Sequence, residues 1–127
     1  MSNLGQIKSK FLAHFAKIEK EGDVLTVLEQ LKKKKKIAKA THNIYAYRIR
    51  EKNGDLIEGK EDDGETKASE KLLFLLQKVN LENVLIIVTR WYGGIHLGGA
   101  RFRHIVNSAH QLLIENKIIK STKENLD

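Results

Sequence analysis

The alternation and recurrence of apolar residues along this chain predict seven elements in the order β-α-β-β-α-β-α. Residues 10–18 alternate, with Phe11, Ala13 and Phe15 against Leu12, His14, Ala16 and Ile18, and read as a strand. Gly22 ends that pattern, and Asp23 is a candidate N-cap for a helix marked by Val24, Val27, Leu28 and Leu31. Lysines fill positions 32–36, where cations close a helix favourably. Residues 43–51 alternate again, with Tyr45, Tyr47 and Ile49 on one face and Ile44 and Ala46 on the other. Asn53-Gly54 then predicts a hairpin with a type I′ turn, and residues 55–60 return as a short, polar edge strand. Ala68, Leu72, Leu75, Leu76 and Val79 mark a second helix, with Thr66 as its cap. Residues 84–88 are apolar on both faces, which predicts a central strand covered on both sides. Phe102, Ile105, Val106, Ala109, Leu112 and Leu113 form one stripe of a last helix, after which Ile118 and Ile119 are a short tail contact.

Three amphipathic helices need a sheet to pack on. The simplest answer is an α/β two-layer sandwich with a four-stranded sheet. At 127 residues, 41% of them apolar, the chain has material for one core. The expected division is a loose lead-in over 1–8, one domain over 9–119 and a polar tail over 120–127. The absence of cysteine excludes disulfides and thiolate metal sites and points to the cytoplasm. No apolar run reaches the roughly 20 residues of a membrane-spanning helix. The net charge of +7 makes an anionic partner, nucleic acid or ribosome, a natural expectation.

Two stretches stand out chemically. The first joins the central strand to the last helix: Arg90, Trp91 and Tyr92, then Gly93, Gly94, Gly98 and Gly99, then Arg101, Arg103 and His104. Glycines allow tight turns with exposed N–H groups, and a helix N-terminus adds a positive dipole end. Arg101 and Arg103 in a first helical turn are unfavourable unless an anion offsets them. Arg90, Gly93, Gly94, Gly98, Gly99, Arg101, Arg103 and His104 are therefore the candidate surface for an anion such as RNA phosphate. The competing reading pairs Arg90 or Arg101 with an acidic residue across the fold. Ala100-Arg101 stands where a P-loop needs Lys and a hydroxyl residue, so nucleotide binding of that type is rejected. The second stretch is residues 61–66, with Asp62, Asp63 and Glu65. They are expected to cap and charge-complement the following helix rather than to hold magnesium, so no metal and no cofactor are expected.

Three blocks carry a family resemblance: RWYGGI at 90–95 continuing through Leu97-Gly98, Arg101-Phe102 and His104-Ile105; ATHNIYAYRI at 40–49; and EDDGET at 61–66. In this order and spacing they resemble the IMPACT family, which includes bacterial YigZ-type proteins, with the eukaryotic branch nearest. The resemblance covers residues 9–116. It implies a fold like the second domain of the fifth small-subunit ribosomal protein and the fourth domain of elongation factor G, with a left-handed crossover. It also implies a role in dampening the amino-acid starvation response, in which eukaryotic members compete with the initiation-factor kinase for its ribosome-associated activator. They do so through an N-terminal RWD domain, and only eight residues precede the matching region here.

The expectation is thus a non-enzymatic module of translation control, binding a protein partner or ribosomal RNA through the glycine-loop surface. Actin is a further partner that the resemblance permits. The alternative is an enzyme acting on a phosphorylated substrate, with Asp62, Asp63 or Glu65 opposed to Arg90, Arg101 or His104. That alternative requires the acidic and basic stretches to converge on one pocket.

Overall fold

A computed structural model describes residues 9–120; the lead-in at 1–8 and the tail residues 121–127 lie outside the described residues. The elements are β1 (Lys10–Lys17), α1 (Gly22–Lys32), α2 (Lys35–Ala38), β2 (His42–Arg50), β3 (Leu56–Glu61), α3 (Ala68–Lys78), β4 (Val84–Trp91) and α4 (Ala100–Glu115). The strands form one antiparallel sheet in the order β1-β4-β2-β3, so the last strand enters beside the first.

The parity of each strand decides which layer its side chains join. Ile44, Ala46, Ile86 and Val88 face α3 and α4, packing with Leu72, Leu76, Ile105 and Leu113. This is the expected mixed α/β packing of a four-stranded sheet on helices, but not in two layers, because the first helix covers the opposite face. Ile49, Leu85 and Ile87 face the other way, onto Val24 and Leu28 of α1. β4 is accordingly covered on both sides, as its unbroken apolar run predicts. Ile118 and Ile119 pack at the edge of the α3–α4 core.

β1 and β2 run parallel, each antiparallel to the intervening β4, and α1 connects them across one face. β3 and β4 run parallel with β2 between them, and α3 connects them across the other face. The second crossover moves in the opposite direction with reversed strands and on the opposite face, so the two have opposite hands. One of them is left-handed, against the general rule.

Several local expectations change. The 50–56 hairpin is not type I′: only Gly54 has positive φ (92°), the Gly54 N–H donates to the Glu51 carbonyl at 2.9 Å, and the Glu51 N–H to the Asp55 carbonyl at 2.8 Å. A type I turn closed by a left-handed glycine suits this longer loop. Asp23 is not an N-cap; it lies in the first turn of α1, and its carboxylate reaches back to the N–H groups of Glu19 and Lys20. The lysines do not all belong to one helical end. α1 stops at Lys32, Lys34 is extended, and α2 starts at Lys35 because burial of Ile37 pulls the chain onto the sheet. β4 continues to Trp91, whose half-buried indole N–H donates to the Lys36 carbonyl at 3.1 Å. Trp91→Ala should therefore cost about 1–3 kcal/mol, below the range of about 3–5 for a fully buried aromatic, as chemical denaturation will measure.

Beneath α2 runs a buried polar chain. Asn43 Nδ2 donates to the Ile37 carbonyl at 3.0 Å, and the Thr89 hydroxyl donates to Asn43 Oδ1 at 2.7 Å. The hydroxyl proton is thereby used, so His14 Nε2, 2.9 Å away, is the donor to Thr89. Burial, assisted by Lys34, pushes the His14 pKa down. Among the described residues no helix is long and apolar enough to cross a membrane.

Candidate functional site

The site forms at the end of the sheet where β4 stops, β2 starts and the N-termini of α3 and α4 approach each other. Pairing of His42 with Arg90 in the β2–β4 register brings the start of β2 to the end of β4. The acidic loop follows β3 and lands on the same corner.

Each acidic side chain there has a distinct task. Asp62 caps α3: Oδ1 accepts from the Ser69 N–H (2.9 Å) and hydroxyl (2.5 Å), and Oδ2 from the Lys67 N–H (2.9 Å). This replaces the predicted Thr66 cap. The residue at the cap position is Lys67, with φ of 69°, and the loop folds back so that Asp62 reaches the orphan donors. Asp63 Oδ2 accepts from the Asn43 N–H at 2.6 Å, while its carbonyl accepts from His42 Nδ1 at 2.8 Å. Glu65 is buried at 6% exposure and binds two arginines: Oε2 takes Arg90 Nη1, and Oε1 takes Arg101 Nε at 2.8 Å. His42 Nε2 lies 3.9 Å from the same carboxylate.

Burial pushes the Asp62 carboxyl up, but hydrogen bonds from Ser69 and Lys67 outweigh it and leave it below its ordinary 3.8. A carboxylate with a depressed folded pKa stabilises the fold above its unfolded pKa and loses that contribution as pH falls through the folded value. Asp62→Ala should cost about 0.5–2 kcal/mol at neutral pH. Its deficit against the unmodified chain should shrink below about pH 4, as urea unfolding on either side of that pH will check.

The basic residues divide. The Arg90 side chain is 5% exposed, stacked between Phe11 and Tyr92 with its guanidinium carbon 5.6 and 5.8 Å from their ring centres. It also donates to Ser9 Oγ at 3.2 Å. Arg101 lies over Phe102 at 4.3 Å and donates to the Gly98 carbonyl at 2.6 Å. Arg103 and His104 are exposed, the latter stacked on Phe11 at 5.4 Å. Of the four candidate glycines, Gly94 (φ 87°) and Gly98 (φ 58°) occupy the left-handed region, whereas Gly99 has φ of −65° and is the N-cap of α4. The Gly93 N–H donates to Ser9 Oγ at 3.3 Å. Trp91 turns toward α2, on the face opposite Arg90, and Tyr92 is exposed beside His96, ring centres 5.5 Å apart.

The acidic and basic stretches thus do converge. They line an open cleft of about 470 Å³ with Glu65, Arg90 and Arg101 below and Tyr92, His96 and Leu97 above. Within it Glu65 is held by two guanidinium groups, and Asp62 and Asp63 are spent on backbone N–H groups. Reading the sequence alone missed Ser9, Thr41, His42 and His96 as members of this corner. His42 had a signal, since it lies in the 40–49 block, but its partners are distant in sequence. Among the described residues no cluster of three or more metal-ligating side chains occurs.

Fold and site together define a small α/β module in which a buried ion-pair clamp braces an exposed glycine loop. The Impact N-terminal domain family matches residues 7–113, and the chain belongs to that family. It is 50% identical over 119 residues to protein IMPACT-B of Xenopus tropicalis, covering 92% of this chain and 37% of that protein. It is 47% identical over 119 residues to human protein IMPACT (93% and 37%) and 51% over 106 residues to the Dictyostelium discoideum homolog (84% and 31%). The chain therefore spans about a third of the length of the curated relatives it matches. Among solved structures it is similar to Yih1, described as a two-domain translational regulator, with a TM-score of 0.58 and 34% identity, covering 84% of this chain and 42% of that one.

Proposed function

We propose that this chain is a non-enzymatic module of translation control in the amino-acid starvation response, which engages a protein partner through its glycine loop. Kinship with Yih1 supplies the context. The observation that carries the contact is the exposure of Tyr92 (42%) and Ile95 (44%) on a loop that the Glu65 clamp braces from below. A large aromatic on a preorganised loop is the kind of anchor that dominates protein interfaces. The setting this requires is the cytoplasm, where initiation factors and ribosomes are. A second contact at the same face, with ribosomal RNA, is favoured by α4 beginning without an acidic residue or side-chain cap and by the exposure of Arg103.

The test is capture from cytosolic extract, with and without nuclease, by the unmodified chain and by a Tyr92→Ala/Ile95→Ser variant. The expected result is a nuclease-resistant protein partner that the variant loses while it remains folded, with a single cooperative thermal transition. Capture that disappears on nuclease treatment, or that the variant retains, overturns the protein-contact reading.

A further inference from the structure

The positive charges of this chain are committed unevenly. Arg48, Arg50, Arg90 and Arg101 each hold a carboxylate. The five lysines at 32–36 are all exposed, and among the described residues no carboxylate forms an ion pair with any of them. Five successive cations repel one another and would ordinarily spread apart in solvent.

Here they are held in a fixed turn. Lys33 and Lys34 donate their N–H groups to the carbonyls of Gln30 and Leu31 at 3.3 and 3.2 Å. Ile37 is buried, its carbonyl taken by Asn43 and the Lys36 carbonyl by Trp91. Asn43 is in turn held by Thr89, so the anchor reaches into the buried face of the sheet. Lys36 Nζ lies 5.2 Å from the centre of the Trp91 ring, and Lys10 is the cross-strand partner of Trp91. A half-buried indole is thus set among lysines that no carboxylate of the described residues pairs with.

We propose that this lysine turn and Trp91 bind single-stranded nucleic acid, the lysines taking successive phosphates and the indole stacking one base in the place of Lys36. An acidic peptide or a lipid headgroup would answer the charge but leave the indole face unused. Base stacking on an aromatic beside a basic track is the usual construction for single strands. The site is separate from the protein contact proposed for the glycine loop and does not rest on it.

Trp91 is the sole tryptophan, so its fluorescence reports the site directly. The probes are a fluorescein-labelled oligouridylate and its deoxythymidylate counterpart, titrated from about 50 to 200 mM salt. Binding should quench Trp91, and a preference between the two probes distinguishes RNA from DNA as the ligand. Lys33→Gln, Lys34→Gln and Lys35→Gln combined should flatten the log–log salt slope by about 2, at about 0.7 per phosphate contact. Trp91→Leu should lower affinity about tenfold with the slope unchanged. Lys78→Gln, at an exposed position of α3 on the opposite side of the sheet, should leave both affinity and slope as they are. Thermal unfolding of the triple variant, all at exposed positions, controls for folding. The proposal is overturned by absence of binding to both probes at the lowest salt, by an unchanged slope in the triple lysine variant, or by a flattening in Lys78→Gln equal to that of one lysine of the turn. Equal quenching by polyglutamate, or binding to phosphatidylserine vesicles without binding to either oligonucleotide, overturns it as well.

Discussion

Glu65→Gln is expected to lower the unfolding free energy by about 3–5 kcal/mol, because it removes the only carboxylate that buried Arg90 touches among the described residues and leaves that charge uncompensated. Arg90 is badly placed to lose it: among the described residues its Nε already has no hydrogen-bond partner, and Ser9 and the two aromatic rings offer no negative charge. Arg101 is the internal control, sharing the same carboxylate with a quarter of its side chain exposed. Water can solvate what is lost there, so Arg101→Gln should cost about 1 kcal/mol or less. Urea unfolding of both variants beside the unmodified chain decides the matter. A Glu65→Gln effect no larger than that of Arg101→Gln would show that the corner is not a buried clamp. The loop above it should respond too, since Tyr92 stacks on Arg90; a looser clamp should raise amide exchange across 92–99 before it unfolds the sheet.

The second large effect is expected in the core. Leu72→Ala should destabilise by about 2–5 kcal/mol, since Leu72 is fully buried in the cluster that joins α3, α4 and the sheet, where neighbours on three elements cannot all close a cavity. Leu28→Ala on α1 should fall at the lower end of that range of about 2–5 kcal/mol. Leu28 retains 8% exposure, and its cluster on the opposite face is smaller and bordered by half-buried Tyr45 and Tyr47. Paired denaturation curves give the comparison, and equal losses at the two positions would refute the claim that the α3–α4 face dominates stability.

Much of the fold was legible because strand and helix periods are local. The parity of Ile86 and Val88 against Leu85 and Ile87 named two opposite faces, and the structure buries each in a separate cluster. What failed locally failed for a common reason. Thr66 is the kind of residue that caps a helix, yet the donors at the start of α3 are met by Asp62, which only the fold-back of the acidic loop brings within reach. The lysine run looked like a solvated helix end because the Trp91 N–H that holds Lys36 comes from a strand 55 residues away, and Asn43 holds Ile37 only once β2 has joined the sheet. Asn53-Gly54 identified the hairpin but not its turn type, which depends on where β2 and β3 stop pairing.

The candidate site shows the same division. The arginines, glycines and acidic residues were visible as two separate stretches, and nothing in their spacing indicated whether they meet. They meet because β4 inserts between β1 and β2, which sets Arg90 opposite His42 and brings Glu65, 25 and 36 residues from its two arginine partners, to the same corner. By itself the sequence determined every element but the short helix α2, the buried faces and the family, all of which follow from residue types at short spacing. Tertiary structure alone decided the strand order, the hands of the crossovers and which charges neutralise one another. These depend on pairings between distant segments, whose energies are summed over the whole core and leave no period in the chain.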